Sequence, residues 1–546
     1  MIGTDSLPPP IPAHPYREDR TLRECLRRLL PADVLEAATP DFESLGGLVA
    51  AQLHPSQAAD RDAEPRLVQW DPWGARTDRI EITPHWTRVA AVAAGYGLVG
   101  LPYERRYGRH ARVVQAGLIY LLHPPSDLYT CPLAMSDGAV RTLLDAGAGD
   151  RFAEPIARLT SREPAQAWIS GQWMTEIAGG SDVGAATTRA EPAADGAWRL
   201  HGRKWFASAA HADMALALAR PVGNGPGGSG LALFMVRTRD AAGALNGIRI
   251  ERLKDKLGTR KLPTAELTLD GALAHAVCGT AGGTRAIEPM LAITRLWNSL
   301  TAASSMRRAL ALARAYAGVR HAFGHRIQEL PLHADTLAGI GAETDAATLL
   351  ALELAALTGR AEAGEADAEV RALLRLATPI VKLTTARQAV AAVTEAIECF
   401  GGAGYVEDTG LPALLRDVHV FPIWEGTTNV LALDALLRAD ADAGVAALQG
   451  RVRRAVDTVR EPRLAALGRA CRRSLDGAQR WMQHATVPTV RQAGARRWAL
   501  TLGRTFALAL LVEHAQWLHD DVRDDAGVHA AQRFAMSPFD LVHHGA

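Results

Sequence analysis

Only five cysteines occur in the 546 residues, and none is paired at a short spacing. Cys25, Cys131, Cys278, Cys399 and Cys471 therefore offer neither a disulfide framework nor a zinc site, and their usage suits a reducing cytoplasm. No metal is expected. No apolar run is long enough to span a bilayer. The proline-rich start, residues 1–20, lacks the basic-then-apolar pattern of a secretion signal. Neither GxGxxG nor GxxxxGK[ST] is present, so a Rossmann dinucleotide site and a P-loop are not indicated. Net charge is low as well: a formal +1 gives no global pull towards nucleic acid or membrane, and any basic surface must be local. What is present, 48% apolar and 22% charged residues, is the composition of an ordinary globular chain. Such a length exceeds one core and predicts three or four domains.

Four textures follow one another along the chain. Residues 1–165 read as mostly helical, with apolar periodicity over 86–122 and again over 137–144. From 166 to 282 short alternating segments take over, at 197–206, 214–219, 231–236, 248–253 and 265–269. Asp195-Gly196 and the glycine-rich 223–230 stretch supply turns between them, which predicts a compact antiparallel β-barrel or sandwich. Long amphipathic patterns return over 283–438, at 287–323, 333–357 and 370–400, with a fourth helix starting after Thr428. This is the signature of an up-down four-helix bundle. Residues 439–546 form a helical appendage, arginine-rich first, then acidic and histidine-containing.

Two stretches carry chemistry. In Phe421-Pro422-Ile423-Trp424-Glu425-Gly426-Thr427-Thr428-Asn429, a carboxylate sits on a loop just ahead of a helix start, beside a tryptophan and with few other charges near. A carboxylate so held can act as a general base, although in isolation an ordinary helix-start glutamate is the commoner reading. The second, Thr175-Glu176-Ile177-Ala178-Gly179-Gly180-Ser181-Asp182, is a glycine-containing loop leading into β structure. Its consecutive N–H groups, with the hydroxyls of Thr175 and Ser181, suit an anion, while a plain turn is the alternative.

Taken together with three further motifs, these stretches resemble the acyl-CoA dehydrogenase family. Met174-Thr175-Glu176 with Gly180-Ser181-Asp182 is similar to the family's flavin loop. Lys204-Trp205-Phe206-Ala207-Ser208 is similar to the strand bearing the flavin-facing aromatic and hydroxyl. Arg320-His321-Ala322-Phe323-Gly324 resembles the element that reaches the FAD of a neighbouring subunit. Phe400-Gly401-Gly402-Ala403-Gly404-Tyr405 and Trp424-Glu425-Gly426-Thr427 match the two bundle motifs, in order. Within the family the AidB-like, adaptive-response branch is the nearer likeness. It is carried by 174–183, by Arg252-Leu253-Lys254-Asp255-Lys256-Leu257-Gly258, by Ile423-Trp424-Glu425-Gly426 and by the extra C-terminal segment.

The resemblance implies an α+β, mainly α fold: an N-terminal helical domain (1–165), a central antiparallel β-barrel (166–282), a four-helix bundle (283–438) and a basic C-terminal helical domain (439–546). It implies FAD as cofactor, an acyl-CoA thioester as substrate and a homotetramer in the cytoplasm. Glu425 takes the position of the base that removes the thioester α-proton, coupled to hydride transfer from the β-carbon to flavin N5. Its own backbone N–H is a candidate donor to the enolate. Met174, Thr175, Gly180 and Ser181 are expected at the flavin and pyrophosphate. Phe206 stands where a tryptophan is usual, Ser208 where a threonine is usual, and one of Trp205 and Phe206 is expected only to pack in the core. Arg320 and Phe323 are expected at a neighbour's cofactor, where a guanidinium suits two phosphate oxygens. Glu398 replaces a common glutamine near the adenosine half, and Gly401 and Gly402 allow close backbone approach. Trp424, Thr427 and Asn429 complete the set.

Residues 451–504 hold thirteen arginines against three acids. Arg451, Arg453, Arg454, Arg472, Arg473, Arg496, Arg497 and Arg504 are the clearest members of this basic cluster. In the AidB-like branch the region is associated with duplex DNA through phosphate contacts, which gives an alternative function: a flavoprotein that chiefly binds DNA without base reading. No recognition helix, zinc finger or aromatic interleaving argues for sequence-specific readout. A solvated or salt-bridged helix face explains the arginines equally well. A flavin oxidase or an acyl-chain binder on the same scaffold is a third reading.

Overall fold

The computed structural model describes residues 7, 9–240 and 242–542. The proline-rich lead up to Ser6, Pro8 and the end of the histidine-containing tail from His543 lie outside them. The chain groups into two compact units. One combines the segment up to Ala51 with Tyr107–Pro124 and everything from Asn298; the other combines Gln52–Arg106 with Pro125–Trp297.

The second unit is organised by seven strands: β3 (Ser170–Trp173), β4 (Arg189–Pro192), β5 (Trp198–Ser208), β6 (Met214–Pro221), β7 (Ala232–Arg237), β8 (Ile248–Leu253) and β9 (Thr264–Cys278). A β6–β7 pairing closes the run β6-β4-β5-β9-β7 into a barrel, with β3 on β6 and β8 on β9. All pairings are antiparallel except β3 and β4, which lie parallel along β6. The interior is filled by Trp173, Leu200, Phe234, Ile250 and Leu267 among many alanines, such as Ala215, Ala217, Ala219, Ala265 and Ala274. So small a ring leaves little room inside, and inward positions on tightly curved strands take methyl groups. The alternating pattern of the sequence is this inward-outward alternation.

The N-terminal stretch is not wholly helical. β1 (Arg66–Trp70) and β2 (Arg76–Glu81) form an antiparallel hairpin. Asp71 Oδ1 accepts the Trp73 and Ala75 N–H groups at 2.9 and 2.8 Å, which closes its turn. The hairpin lies against β8: Asp78 Oδ2 accepts from Ile250 N at 2.9 Å, and Gln69 Nε2 donates to Ile250 O at 3.1 Å. Side chains thus satisfy an edge strand that would otherwise be open to pairing. The 86–122 pattern likewise divides into helices Pro84–Gly95 and Ala111–Leu122, separated by short 3-10 turns.

The first unit is built on helices Pro331–Glu362 and Ala368–Glu398, with the C-terminal portion of Glu288–Val319. The expected fourth bundle helix is short, Thr428–Leu433, followed by a π-helical turn at Asp434–Arg438. A 34-residue helix from the appendage, Pro488–Asp521, packs on Pro331–Glu362, Ala368–Glu398 and Thr428–Leu433. A Cβ at Gly503 would come within 2.0 Å of Thr384 Oγ1, so only glycine permits the approach of these two helices. Long helices buried on most faces, as here, read as apolar all round rather than as striped.

Candidate active site

Glu425 is half-buried on the turn before helix Thr428–Leu433. Its φ is +56°, the left-handed region, which costs a non-glycine residue about 1–3 kcal/mol unless its surroundings hold it. The holding group is Lys382, fully buried on helix Ala368–Glu398. Its Nζ donates to Trp424 O at 2.7 Å and to Gly426 O at 2.8 Å, the carbonyls on either side of Glu425. On the other side of the turn, Trp424 Nε1 donates to Asn298 Oδ1, and the buried Asn298 Nδ2 has no partner. Gly426, at φ +100°, lies where a Cβ would meet Leu431 Cδ2 at 2.8 Å. Thr427 caps the following helix, its Oγ1 accepting from Val430 N at 3.4 Å. Phe421 is fully buried, 5.9 Å from the His123 ring and 6.1 Å from Trp424. Burial pushes the His123 imidazole down to about 3, so it is neutral.

The barrel carries a second constellation. Glu176 is buried and makes an ion pair with the equally buried Lys204 at 2.7 Å. It also accepts from Thr187 N at 2.6 Å and from Thr188 Oγ1 at 2.5 Å. Lys204 donates further to Leu218 O at 2.7 Å, so the 175–188 loop is tied to β5 and β6. Burial acts to raise the Glu176 carboxyl, but the Lys204 charge and these hydrogen bonds outweigh it and hold it at about 2. For Lys204 burial is the larger influence and its pKa falls, although Glu176 supports the charged form. Both ions are supported by the pair; the amine loses only through its burial.

Immediately beyond Lys204 the β5–β9 register shifts, Trp205 and Phe206 on β5 facing Glu266 alone on β9. Such a bulge re-aims side chains. Phe206 is left 50% exposed, while Trp205 lies under Lys254 Nζ, 3.3 Å from its ring centroid. Lys254 is also 4.6 Å from the Phe206 centroid and pairs with Glu266 at 2.8 Å. Ser208 Oγ lies 3.2 Å from Thr264 Oγ1. Met174 and Gln172 share one side of β3, Gln172 Nε2 reaching Met174 Sδ at 3.8 Å, and the buried Gln172 Oε1 has no partner. Gly180 and Ser181 are exposed, and a Cβ on Gly180 would meet Thr175 Cγ2 at 3.1 Å.

Residues 8–163 match the adaptive response protein AidB N-terminal domain, and 171–272 match the acyl-CoA dehydrogenase middle domain. Residues 281–439 match the acyl-CoA dehydrogenase C-terminal domain, and 445–545 the acyl-CoA dehydrogenase 11 C-terminal domain-like family. Acyl-CoA dehydrogenase family member 11 of Caenorhabditis elegans is 40% identical over 539 residues, covering 95% of this chain and 87% of that protein. The chain belongs to the acyl-CoA dehydrogenase family.

It lies near the AidB branch: the putative acyl-CoA dehydrogenase AidB of Escherichia coli is 33% identical over 390 residues, 70% of each chain. The crystal structure of C. elegans ACDH-11 in complex with C11-CoA superposes with a TM-score of 0.95 at 39% identity, over 99% of this chain and 94% of that one. An acyl-CoA dehydrogenase complexed with FAD from Bacillus anthracis shares the fold at 16% identity, with a TM-score of 0.75 over 98% of this chain and 90% of that one.

Trp424, Glu425 and Thr427 stand on the turn before helix Thr428–Leu433, and Asn429 lies in the first turn of that helix. Met174, Thr175, Gly180, Ser181, Trp205, Phe206 and Ser208 gather around β3, its following loop and the β5 bulge. Arg320 and Phe323 are exposed at a small hairpin, β10 (His321–Ala322) with β11 (His325–Arg326), Phe323 93% so. Glu398, Gly401 and Gly402 are exposed at the end of helix Ala368–Glu398.

Two of the basic-cluster arginines are not surface groups. Arg451 is enclosed by Glu353 at 2.7 Å and Glu513 at 2.8 Å, and Arg504 pairs with Glu343 at 2.8 Å while lying over the Phe534 ring. Each of these guanidiniums has its charge matched by buried or half-buried carboxylates, which leaves little of it to attract a phosphate. Arg454 pairs with Glu369 at 2.8 Å, Arg472 pairs with Asp457, and Arg496 donates to Asn429 at 3.1 Å. Arg453, Arg473 and Arg497 are exposed, with no carboxylate partner among the described residues.

Sequence reasoning gave no site role to Lys382, Lys204, Lys254, Asn298 or Gln172. One signal was available: the chain has only five lysines, and three of them are at these two constellations. Where arginine is the habitual base, a lysine marks a place that needs a compact ammonium.

Proposed function

We propose that the chain is an FAD-dependent acyl-CoA dehydrogenase in which Glu425 removes the α-proton of an acyl-CoA thioester. The observation that carries the reading is Glu425 itself, held by its backbone in a left-handed turn whose flanking carbonyls are both fixed. A weakly acidic carbon needs a base at a fixed position, and a strained residue that the structure over-determines is one way to supply it.

The barrel fits a flavin. The orphaned Gln172 Oε1 beside Met174, the close Gly180–Thr175 approach and the outward Phe206 ring provide an acceptor, a small-residue cradle and an aromatic face. Met174, Thr175, Gly180, Ser181, Phe206 and Ser208 would hold it, and when bound it supplies a two-electron acceptor for the β-hydride. The Glu176–Lys204 pair fixes the loop that presents Thr175 and Ser181. Lys254 keeps Trp205 in place by a cation–π contact. Glu425 takes up the α-proton and must begin as the carboxylate. Arg320 and Phe323, exposed at their hairpin, are left for a second copy of the chain, as in a homotetramer.

The test is anaerobic reduction of the FAD-loaded protein by acyl-CoAs of graded length, with the C11-CoA bound by the C. elegans relative as the first choice. The expected result is bleaching of the flavin by at least one thioester and none with Glu425→Gln. Failure of every chain length removes the dehydrogenase reading. The exposed, unpaired Arg453, Arg473 and Arg497 favour one further role, non-specific contact with duplex phosphates.

A further inference from the structure

We infer that Lys382 is the positioning residue of Glu425, setting both the direction of its side chain and its readiness to exist as a carboxylate; this rests on the reading of Glu425 as the base. Lys382 is wholly buried, and its ammonium spends two of its N–H groups on Trp424 O and Gly426 O. Two carbonyls that converge on one cation oblige the residue between them to turn the other way, and that residue is Glu425 at φ +56°. The pairing spans 42 and 44 positions of sequence, so it is made by the fold and not by the local turn. Asn298 holds the neighbouring indole from another helix, and Gly426 admits the sharp return of the chain. The arrangement leaves the turn little freedom.

A neutral side chain of similar length could pack in the same space. A buried ammonium is costly unless it is fully engaged, so its presence here calls for a task that charge performs. It faces the carbonyl side of the turn that carries the base and adds positive potential there. The carboxylate form of Glu425 is thereby favoured over the protonated form. The base is kept aimed by the hydrogen bonds and kept ionised by the charge.

The two contributions separate experimentally in the full-length, FAD-loaded protein. Lys382→Met removes donor and charge; Lys382→Gln keeps a donor and removes the charge. The readouts are flavin reduction by C11-CoA across pH, the dissociation constant of C11-CoA, flavin content, and the backbone at residue 425 in a crystal structure of each variant. Both variants are expected to retain FAD and to bind C11-CoA within a few-fold of the parent. The reduction rate is expected to fall about 100-fold in Lys382→Met and less in Lys382→Gln. In both, the acidic limb of the rate profile is expected to move to higher pH, because loss of a nearby positive charge disfavours the carboxylate. Residue 425 should leave the left-handed region in Lys382→Met. A parental pH profile in the Gln variant, or general loss of flavin and stability with no change of profile, overturns the inference. Glu425→Gln serves as the control. If it still reduces the flavin, the base reading has failed; if it is inert while both Lys382 variants follow the parental profile, only the role of Lys382 has.

Discussion

Replacing Lys204 by methionine would leave the Glu176 carboxylate buried without its counter-charge while preserving much of the volume. Both side chains are at most 2% exposed, so solvent cannot take over the pairing. Breaking one partner of a buried pair costs about 3–5 kcal/mol. A second route gives a similar figure. The folded carboxyl titrates at about 2 against 4.5 unperturbed, and at 1.36 kcal/mol per pH unit this is about 3 kcal/mol of carboxylate-side stabilisation. Because the folded value is depressed, that stabilisation is complete above about pH 4.5 and is lost as pH falls towards 2. At about 2–4 °C per kcal/mol for a unit of this size, the midpoint of the barrel-containing unit should drop by roughly 6–20 °C. Scanning calorimetry and urea titration at neutral pH measure this, and flavin release should track the same transition. The double variant Lys204→Met with Glu176→Gln keeps an acceptor for Thr188 and removes the stranded charge, so it should recover more than half of the loss. An unchanged midpoint in Lys204→Met, or a double variant as unstable as the sum of the singles, would refute the idea that the pair acts as one unit.

Two further outcomes follow from buried charge. His123 and His514 are held near 3 and His211 near 4, each chiefly by burial, so the folded protein keeps them neutral while the unfolded chain protonates them. Stability should therefore fall as pH drops from about 6.5 towards 4, by up to about 1.4 kcal/mol per pH unit per histidine, and His123→Gln should flatten the slope by one such step in urea titrations. Arg451→Met, which strands Glu353 and leaves Glu513 with Arg28 alone, should destabilise the helical unit by about 3–5 kcal/mol, whereas Arg453→Ala should stay within about 0.5 kcal/mol. Neutralising Arg453, Arg473 and Arg497 together should lower duplex affinity evenly across sequences and reduce its salt dependence, measured by fluorescence anisotropy; an unaltered salt slope would remove them as phosphate contacts.

Period and motif were enough to place much of the chain. The alternation at 248–253 is β8 residue for residue, and the apolar repeats at 333–357 and 370–400 became Pro331–Glu362 and Ala368–Glu398. Glu425 is legible because an acid, a glycine and two threonines before an apolar repeat describe a loop and a helix cap, all local properties. The Arg66–Glu81 hairpin has no comparable local signature, because its strands are short and its stabilising partners lie on β8. Charge density along the sequence does not reveal which guanidiniums face carboxylates far away, so Arg451 and Arg504 look no different there from Arg453.

By itself, then, the sequence determined the order of the elements, the carboxylate on its turn and the small-residue loop of the barrel, since each depends on neighbours a few positions away. The tertiary structure alone decided that Lys382 reaches the turn of Glu425, that Lys204 closes on Glu176, and that Arg451 and Arg504 are spent inside the helical unit. Those pairings join residues 28 to 161 positions apart. A buried charge must find its partner wherever packing brings one within reach, and no local pattern encodes that address.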